Sequence, residues 1–143
     1  MIDKSKKYWY SDSSDDIDEY LRAYAMTDTL DVKPVVCHSC GSEALHLRID
    51  SNEEAIQVKC AVCGNKKILL DCDEIWKEAK PRLKKCPICK EKEHNVKVGF
   101  LRRENGSVRW VYVGSRCVHC GVLGSYLDWK VSYEPTDKME NNI

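Results

Sequence analysis

The chain has 143 residues, no formal net charge, 43% hydrophobic residues and a single Phe. That length bounds the fold to one domain or two very small ones, which are marginal by burial alone and need a further staple. No run approaches the roughly 18 apolar residues of a membrane helix, and Met1-Ile2-Asp3 opens no signal peptide, so a cytoplasmic, reducing location and no membrane contact are expected.

Residues 1–13 read as a polar, irregular lead-in around Tyr8-Trp9-Tyr10. Ser13 or Ser14 is a helix N-cap, and Asp15, Asp16 and Asp18 place negative charge in the first turn, where the macrodipole favours it. Ile17, Tyr20, Leu21 and Tyr24 form one apolar stripe, predicting a helix over about 14–26. Beyond Pro34, Ala44–Ile49 alternates like a strand, Ser51-Asn52-Glu53 turns the chain, and Ala55–Val58 and Lys67–Leu70 read as two more strands. Residues 71–80 predict a short helix stopped by Pro81. Val96–Leu101 and Val108–Val113, joined through Glu104-Asn105-Gly106, carry a hairpin signal. Ser125–Val131 reads as the closing strand, and residues 134–143 as a flexible tail.

Eight of the nine cysteines fall into four Cys-x2-Cys pairs: Cys37/Cys40, Cys60/Cys63, Cys86/Cys89 and Cys117/Cys120. Such a turn places two sulfurs on one side of a tight loop, and two turns supply the four thiolates that close a tetrahedral zinc shell. Gly41, Gly64 and Gly121 follow three of the pairs and permit the backbone geometry there, whereas Lys90 follows the fourth. Redox dithiols or disulfides are the alternative for any one pair. Four pairs in two blocks favour metal, and the linker at 64–85 favours sequential over interleaved ligation. Two structural Zn2+ ions are therefore expected. Eight thiolates outweigh two divalent ions, so the assembly becomes mildly acidic, which argues against a general nucleic-acid coat.

The intervening stretches, 41–59 and 90–116, each accommodate a two-stranded excursion. At 37–70 and 86–131 the chain resembles the zinc-ribbon family, twice over. The resemblance implies a small metal-bound α+β fold of two three-stranded antiparallel ribbons. It implies no particular function, since zinc ribbons serve transcription factors, ribosomal proteins, topoisomerases and enzyme subdomains. Asp16–Arg22 also resembles Asp71–Lys77, and each precedes a cysteine block. The expected unit is a short helix followed by a ribbon, used twice: 1–70 for the first, 71–133 for the second.

Four cysteines leave no open metal position for catalysis, and no deaminase motif, phosphate loop or nucleophile elbow is present. The expectation is therefore no enzyme and no small-molecule substrate. His38 and His119 lie inside knuckles and read as solvent-facing, His46 and His94 as ordinary surface or half-buried residues, and Cys72 as a buried helix residue.

Residues 77–110 carry eleven Lys/Arg against four Glu. Arg102, Arg103, Arg109, Phe100 and Trp110 form a candidate surface for phosphates and unpaired bases. Solvation of a hairpin explains the same residues. The leading expectation is an accessory or adaptor protein that binds a protein partner, with a toxin-neutralising or complex-assembly subunit as fitting examples. Direct binding of RNA or single-stranded DNA by the second ribbon is the alternative.

Overall fold

A computed structural model describes residues 1–143. Two short strands, β1 (Ile2–Asp3) and β2 (Tyr10–Ser11), pair antiparallel ahead of the first helix. The Ser13 hydroxyl caps the start by accepting from the Asp15 N–H at 3.2 Å. A 3-10 turn over Ser14–Asp16 then runs into α1 (Ile17–Ala25), which buries Ile17 and Leu21. Met26 ends it in a left-handed conformation, and the Thr27 N–H reaches back to the Arg22 carbonyl. This matches the capped helix expected over 14–26.

The remaining strands are β3 (Asp31–Val35), β4 (Leu45–Asp50), β5 (Ala55–Cys60), β6 (Lys66–Ile68), β7 (Arg82–Leu83), β8 (His94–Arg102), β9 (Val108–Cys117) and β10 (Leu123–Lys130). The trios β4-β5-β6 and β8-β9-β10 occupy the two stretches read as three-stranded ribbons. They are not separate, however. All eight strands belong to one antiparallel sheet, with β8 pairing β9 on one edge and both β3 and the start of β4 on the other. Strand β3 lies in register from Asp31 opposite Phe100 to Val35 opposite Val96.

Helix α1 packs on β8, β9 and β10, the second trio, although it precedes the first in sequence. Close approach explains the choice of surface. A Cβ added to Gly114 would lie 2.7 Å from Leu21 Cδ2, and one added to Gly99 would lie 2.6 Å from Leu30 Cδ2. The two glycines thus open a shallow seat for two leucines on the sheet. Residues 17–35 thus pack against the second trio, α1 on its face and β3 along β8.

The helix expected at 71–80 is also corrected. Cys72–Glu74 forms one 3-10 turn, and tight turns follow, with Glu78 N–H donating to Ile75 O and Ala79 N–H to Ile75 O and Trp76 O. Asp71 makes no capping bond; its carboxylate instead accepts from Tyr133 Oη at 2.8 Å. So short a segment ahead of Pro81 cannot propagate a helix without a strong start. Its apolar residues meet the core all the same, since Cys72 lies in it and Ile75, Trp76 and Ala79 pack against it.

Residues 134–143 are docked, not loose. Thr136 is buried and its hydroxyl accepts from the Val108 N–H at 2.9 Å. A short helix α2 (Asp137–Glu140) buries Met139. Asn142 then bridges to the first trio: its carbonyl accepts from Leu70 N–H at 2.7 Å and its Nδ2 donates to Ile68 O and Leu70 O. Local polarity gave this segment a tail-like look, while one methionine and a few backbone bonds anchor it. No helix of the protein is long and apolar enough to cross a membrane.

Candidate metal centres and the basic hairpin

The four Cys-x2-Cys turns share one backbone pattern. The N–H four residues after the first cysteine donates to that cysteine's carbonyl: Gly41 to Cys37, Gly64 to Cys60, Lys90 to Cys86, Gly121 to Cys117. The first cysteine's own N–H donates to the carbonyl one residue further on, at Ser42, Asn65, Glu91 and Val122. The residue after each second cysteine is left-handed, with φ of 77°, 80°, 68° and 81°. Three are glycines and the fourth is Lys90, which carries the strain of a Cβ in that region. Lys90→Gly is expected to raise stability by about 0.5–1 kcal/mol without changing metal content, measured by denaturant titration.

The turns meet in two quartets, Cys37/Cys40/Cys60/Cys63 and Cys86/Cys89/Cys117/Cys120, whose sulfurs all lie within 4.8 Å of one another. Across each quartet the sulfurs approach in pairs, Cys37 to Cys63 at 3.4 Å and Cys40 to Cys60 at 3.5 Å. Cys86 to Cys120 and Cys89 to Cys117 are both at 3.5 Å. A zinc–sulfur bond of about 2.3 Å requires a tetrahedral edge of about 3.8 Å, so both quartets fit a four-coordinate ion after a small expansion. Each quartet is made of two successive turns, the sequential arrangement that the linker length predicts.

Backbone N–H groups prepare the thiolates. Cys60 is pulled down to about 6, its sulfur accepting from the N–H groups of Cys63 and Val62 at 3.4 Å. Cys86 is pulled down to about 7: burial opposes ionisation, but the Cys89 and Ile88 N–H groups outweigh it. The other sulfurs then resist. Despite the Ser42 N–H, the sulfur of Cys60 and burial push Cys40 up to about 12. Burial and the sulfurs of Cys86 and Cys117 push Cys120 up to about 12. Each quartet thus needs a cation to ionise fully.

The two centres differ in cover. Cys40 and Cys63 are exposed, whereas Cys86 and Cys117 are buried and Cys89 and Cys120 half-buried. The N-terminal segment supplies that cover. Ser11 N–H donates to Gly121 O at 2.8 Å and Leu123 N–H to Trp9 O at 2.8 Å. Arg116 Nε donates to Ser11 O at 2.7 Å. A Cβ at position 121 would run into the Ser11 carbonyl oxygen, so this knuckle needs glycine for its neighbour as well as for its φ.

Cys72 stands apart from both quartets. It is fully buried, and burial pushes its thiol up to about 12, the environment of an inert packing residue. Cys72→Ala should retain both metals and lose about 1–2 kcal/mol, checked by metal content and chemical denaturation. His38 and His119 are exposed, and neither completes a quartet. His94 departs from its expected place. It is buried, with Nδ1 at 2.9 Å from Lys92 O and Nε2 at 3.2 Å from the Tyr126 hydroxyl. The inward alternation of Val96, Val98 and Phe100 extends back to position 94 and was the available signal.

The residues singled out for nucleic acid are not brought together on one surface. Phe100 is wholly buried and offers no ring face to a base. Arg102 pairs with Asp31 and Glu140, each at 2.8 Å. Arg103 donates to the carbonyls of Val108 and Val131 and lies 3.7 Å from Glu134. Lys97 pairs with Asp18 at 2.6 Å. Arg109 is exposed, and the half-buried Trp110 donates from Nε1 to Asp128 at 3.0 Å.

A row of aromatic rings crosses α1 and the sheet: Trp9, Tyr20, Tyr24, Tyr112 and Trp110, with successive centroids 5.9, 6.3, 6.1 and 6.5 Å apart. Tyr24 is 46% exposed and donates to Asp128 at 3.2 Å. The individual aromatics were visible in the sequence; their alignment depends on α1 lying across the second trio. Comparison with protein-family models, curated proteins and solved structures found no match to this chain.

Proposed function

We propose that this chain is an intracellular accessory protein, folded around two structural Zn2+ ions, that binds a protein partner and catalyses no reaction of its own. Four cysteine sulfurs per centre suit Zn2+ in a closed tetrahedral shell with no position for a reacting group. Cysteines gathered into two four-sulfur groups suit metal binding in a reducing compartment.

The observation that carries the partner reading is the fate of the basic hairpin. Arg102, Arg103 and Lys97 are taken up by carboxylates and carbonyls of this same chain. Tyr24, at the centre of the aromatic row, stays exposed while the other four rings are half-buried, and aromatic residues are the characteristic anchors of protein interfaces. A toxin-neutralising or complex-assembly subunit remains a fitting role.

The test is a binding titration against single-stranded RNA and DNA at rising salt, beside a nuclease-treated pull-down with the wild type and Tyr24→Ala. We expect no single-strand binding even at low salt, and a nuclease-resistant partner whose capture Tyr24→Ala weakens. Single-strand binding that falls steeply with salt and is lost in Arg109→Glu would replace this reading with the nucleic-acid one.

A further inference from the structure

Outside the two quartets, one other group of side chains converges as metal ligands do. Glu91 and Glu93 follow the third knuckle, and His119 lies inside the fourth. Their ligand atoms lie within 4.8 Å of one another, with His119 Nε2 at 3.4 Å from a Glu93 carboxylate oxygen and 4.0 Å from one of Glu91.

We propose that Glu91, Glu93 and His119 form a third metal site, open and exchangeable, for a divalent transition ion of the Zn2+ type. Bonds from such an ion to imidazole nitrogen and carboxylate oxygen are about 2.0–2.2 Å, which sets a tetrahedral edge of about 3.3–3.6 Å. The His119–Glu93 separation already meets that edge. The Glu91 carboxylate, on an exposed side chain, lies 4.0 Å from His119 Nε2 and reaches the ion by a side-chain adjustment.

Backbone geometry holds the three residues in place before any ion arrives. Glu91 is fixed by its carbonyl accepting from Cys86 N–H at 2.8 Å, and Glu93 by its carbonyl accepting from Val118 N–H at 3.1 Å. The second of these bonds ties the chain at Glu93 directly to the residue before His119. The two knuckles are themselves held together by the second quartet, so the ligands stand on opposite sides of a rigid joint.

A second observation concerns charge. The stretch around Glu91 and Glu93 contains Lys84, Lys85, Lys90 and Lys92. Yet neither carboxylate makes an ion pair with a lysine or arginine, and His119 is the one basic group within 4.0 Å of either. Lys90 turns away, its Nζ donating to Pro87 O at 3.1 Å. Two carboxylates are left facing one imidazole, a donor set that suits Zn2+, Co2+ or Ni2+ better than the all-oxygen preference of Mg2+ or Ca2+. Three protein ligands leave the remaining positions to water, unlike the closed thiolate shells.

The experiment uses the full chain carrying its two thiolate-bound metals, titrated with Co2+ or Ni2+ and followed by calorimetry and by paramagnetic broadening of the His119 imidazole resonances. One further ion is expected, with broadening centred on His119 and no displacement by excess Mg2+. Glu93→Gln and His119→Ala should each weaken that uptake by about tenfold or more while mass spectrometry still finds two tightly bound ions. Glu93 lies outside both Cys-x2-Cys turns, so Glu93→Gln decides the matter if His119→Ala disturbs its knuckle. Failure of the two-metal protein to take up a third ion, or uptake unchanged in Glu93→Gln, would overturn the site.

Discussion

Stripping the metal from either centre is expected to unfold the chain as a whole, not one half of it. The reason is the single sheet. Cys60 ends β5 and Cys117 ends β9, and these strands are linked through β4 and β8. Structural zinc contributes on the order of 10–16 kcal/mol of folding free energy, comparable with or larger than the roughly 5–15 kcal/mol that holds a typical domain together. Cys117→Ser should therefore lose dispersed amide resonances throughout, β3 and α1 included. Falling pH acts in the same direction, because protons compete with the ion for thiolates, so acid unfolding should coincide with metal release. A Cys117→Ser protein that keeps β4-β5-β6 folded with one ion bound would show that the trios stand independently and would sink the prediction.

The second large effect is at Phe100. Its ring is fully buried, opposite Asp31 of β3 on one side and Val111 of β9 on the other. Phe100→Ala is expected to cost about 3–5 kcal/mol, from lost transfer free energy and the cavity left behind. Arg109→Ala, on an exposed side chain, should stay within about 0.5 kcal/mol of the wild type. Denaturant midpoints at constant m-value separate the two. A Phe100→Ala protein of near-native stability would mean that the ring does not fill the core and would return it to the list of surface residues.

The metal quartets and most strands could be read directly because their signals are local. A Cys-x2-Cys turn is written in four or five residues, and each strand shows its own alternation. Pairings between distant segments carry no such mark. Nothing in Asp31–Val35 announces that it will lie along β8, and nothing around Ile17 or Leu21 says which trio offers the glycine seat. The basic stretch shows the same limit: counting charge along 77–110 cannot reveal that Asp18, Asp31 and Glu140 arrive from elsewhere to pair with Lys97 and Arg102. At 71–80 tight turns bring Cys72, Ile75, Trp76 and Ala79 to the core as a helix would have done.

The pairing of β3 with β8 also imposes an order of events during synthesis. Roughly sixty residues separate the two strands, so at a ribosomal rate of about 5–20 residues per second α1 and β3 emerge some 3–12 s before their partner exists. During that interval the Leu21 and Leu30 side chains have no sheet to cover them. The first cysteine quartet, by contrast, is complete once Cys63 has left the exit tunnel. Metal capture at the first centre can thus begin before β8 has emerged, and the nascent chain waits on β8 to hide its apolar helix face.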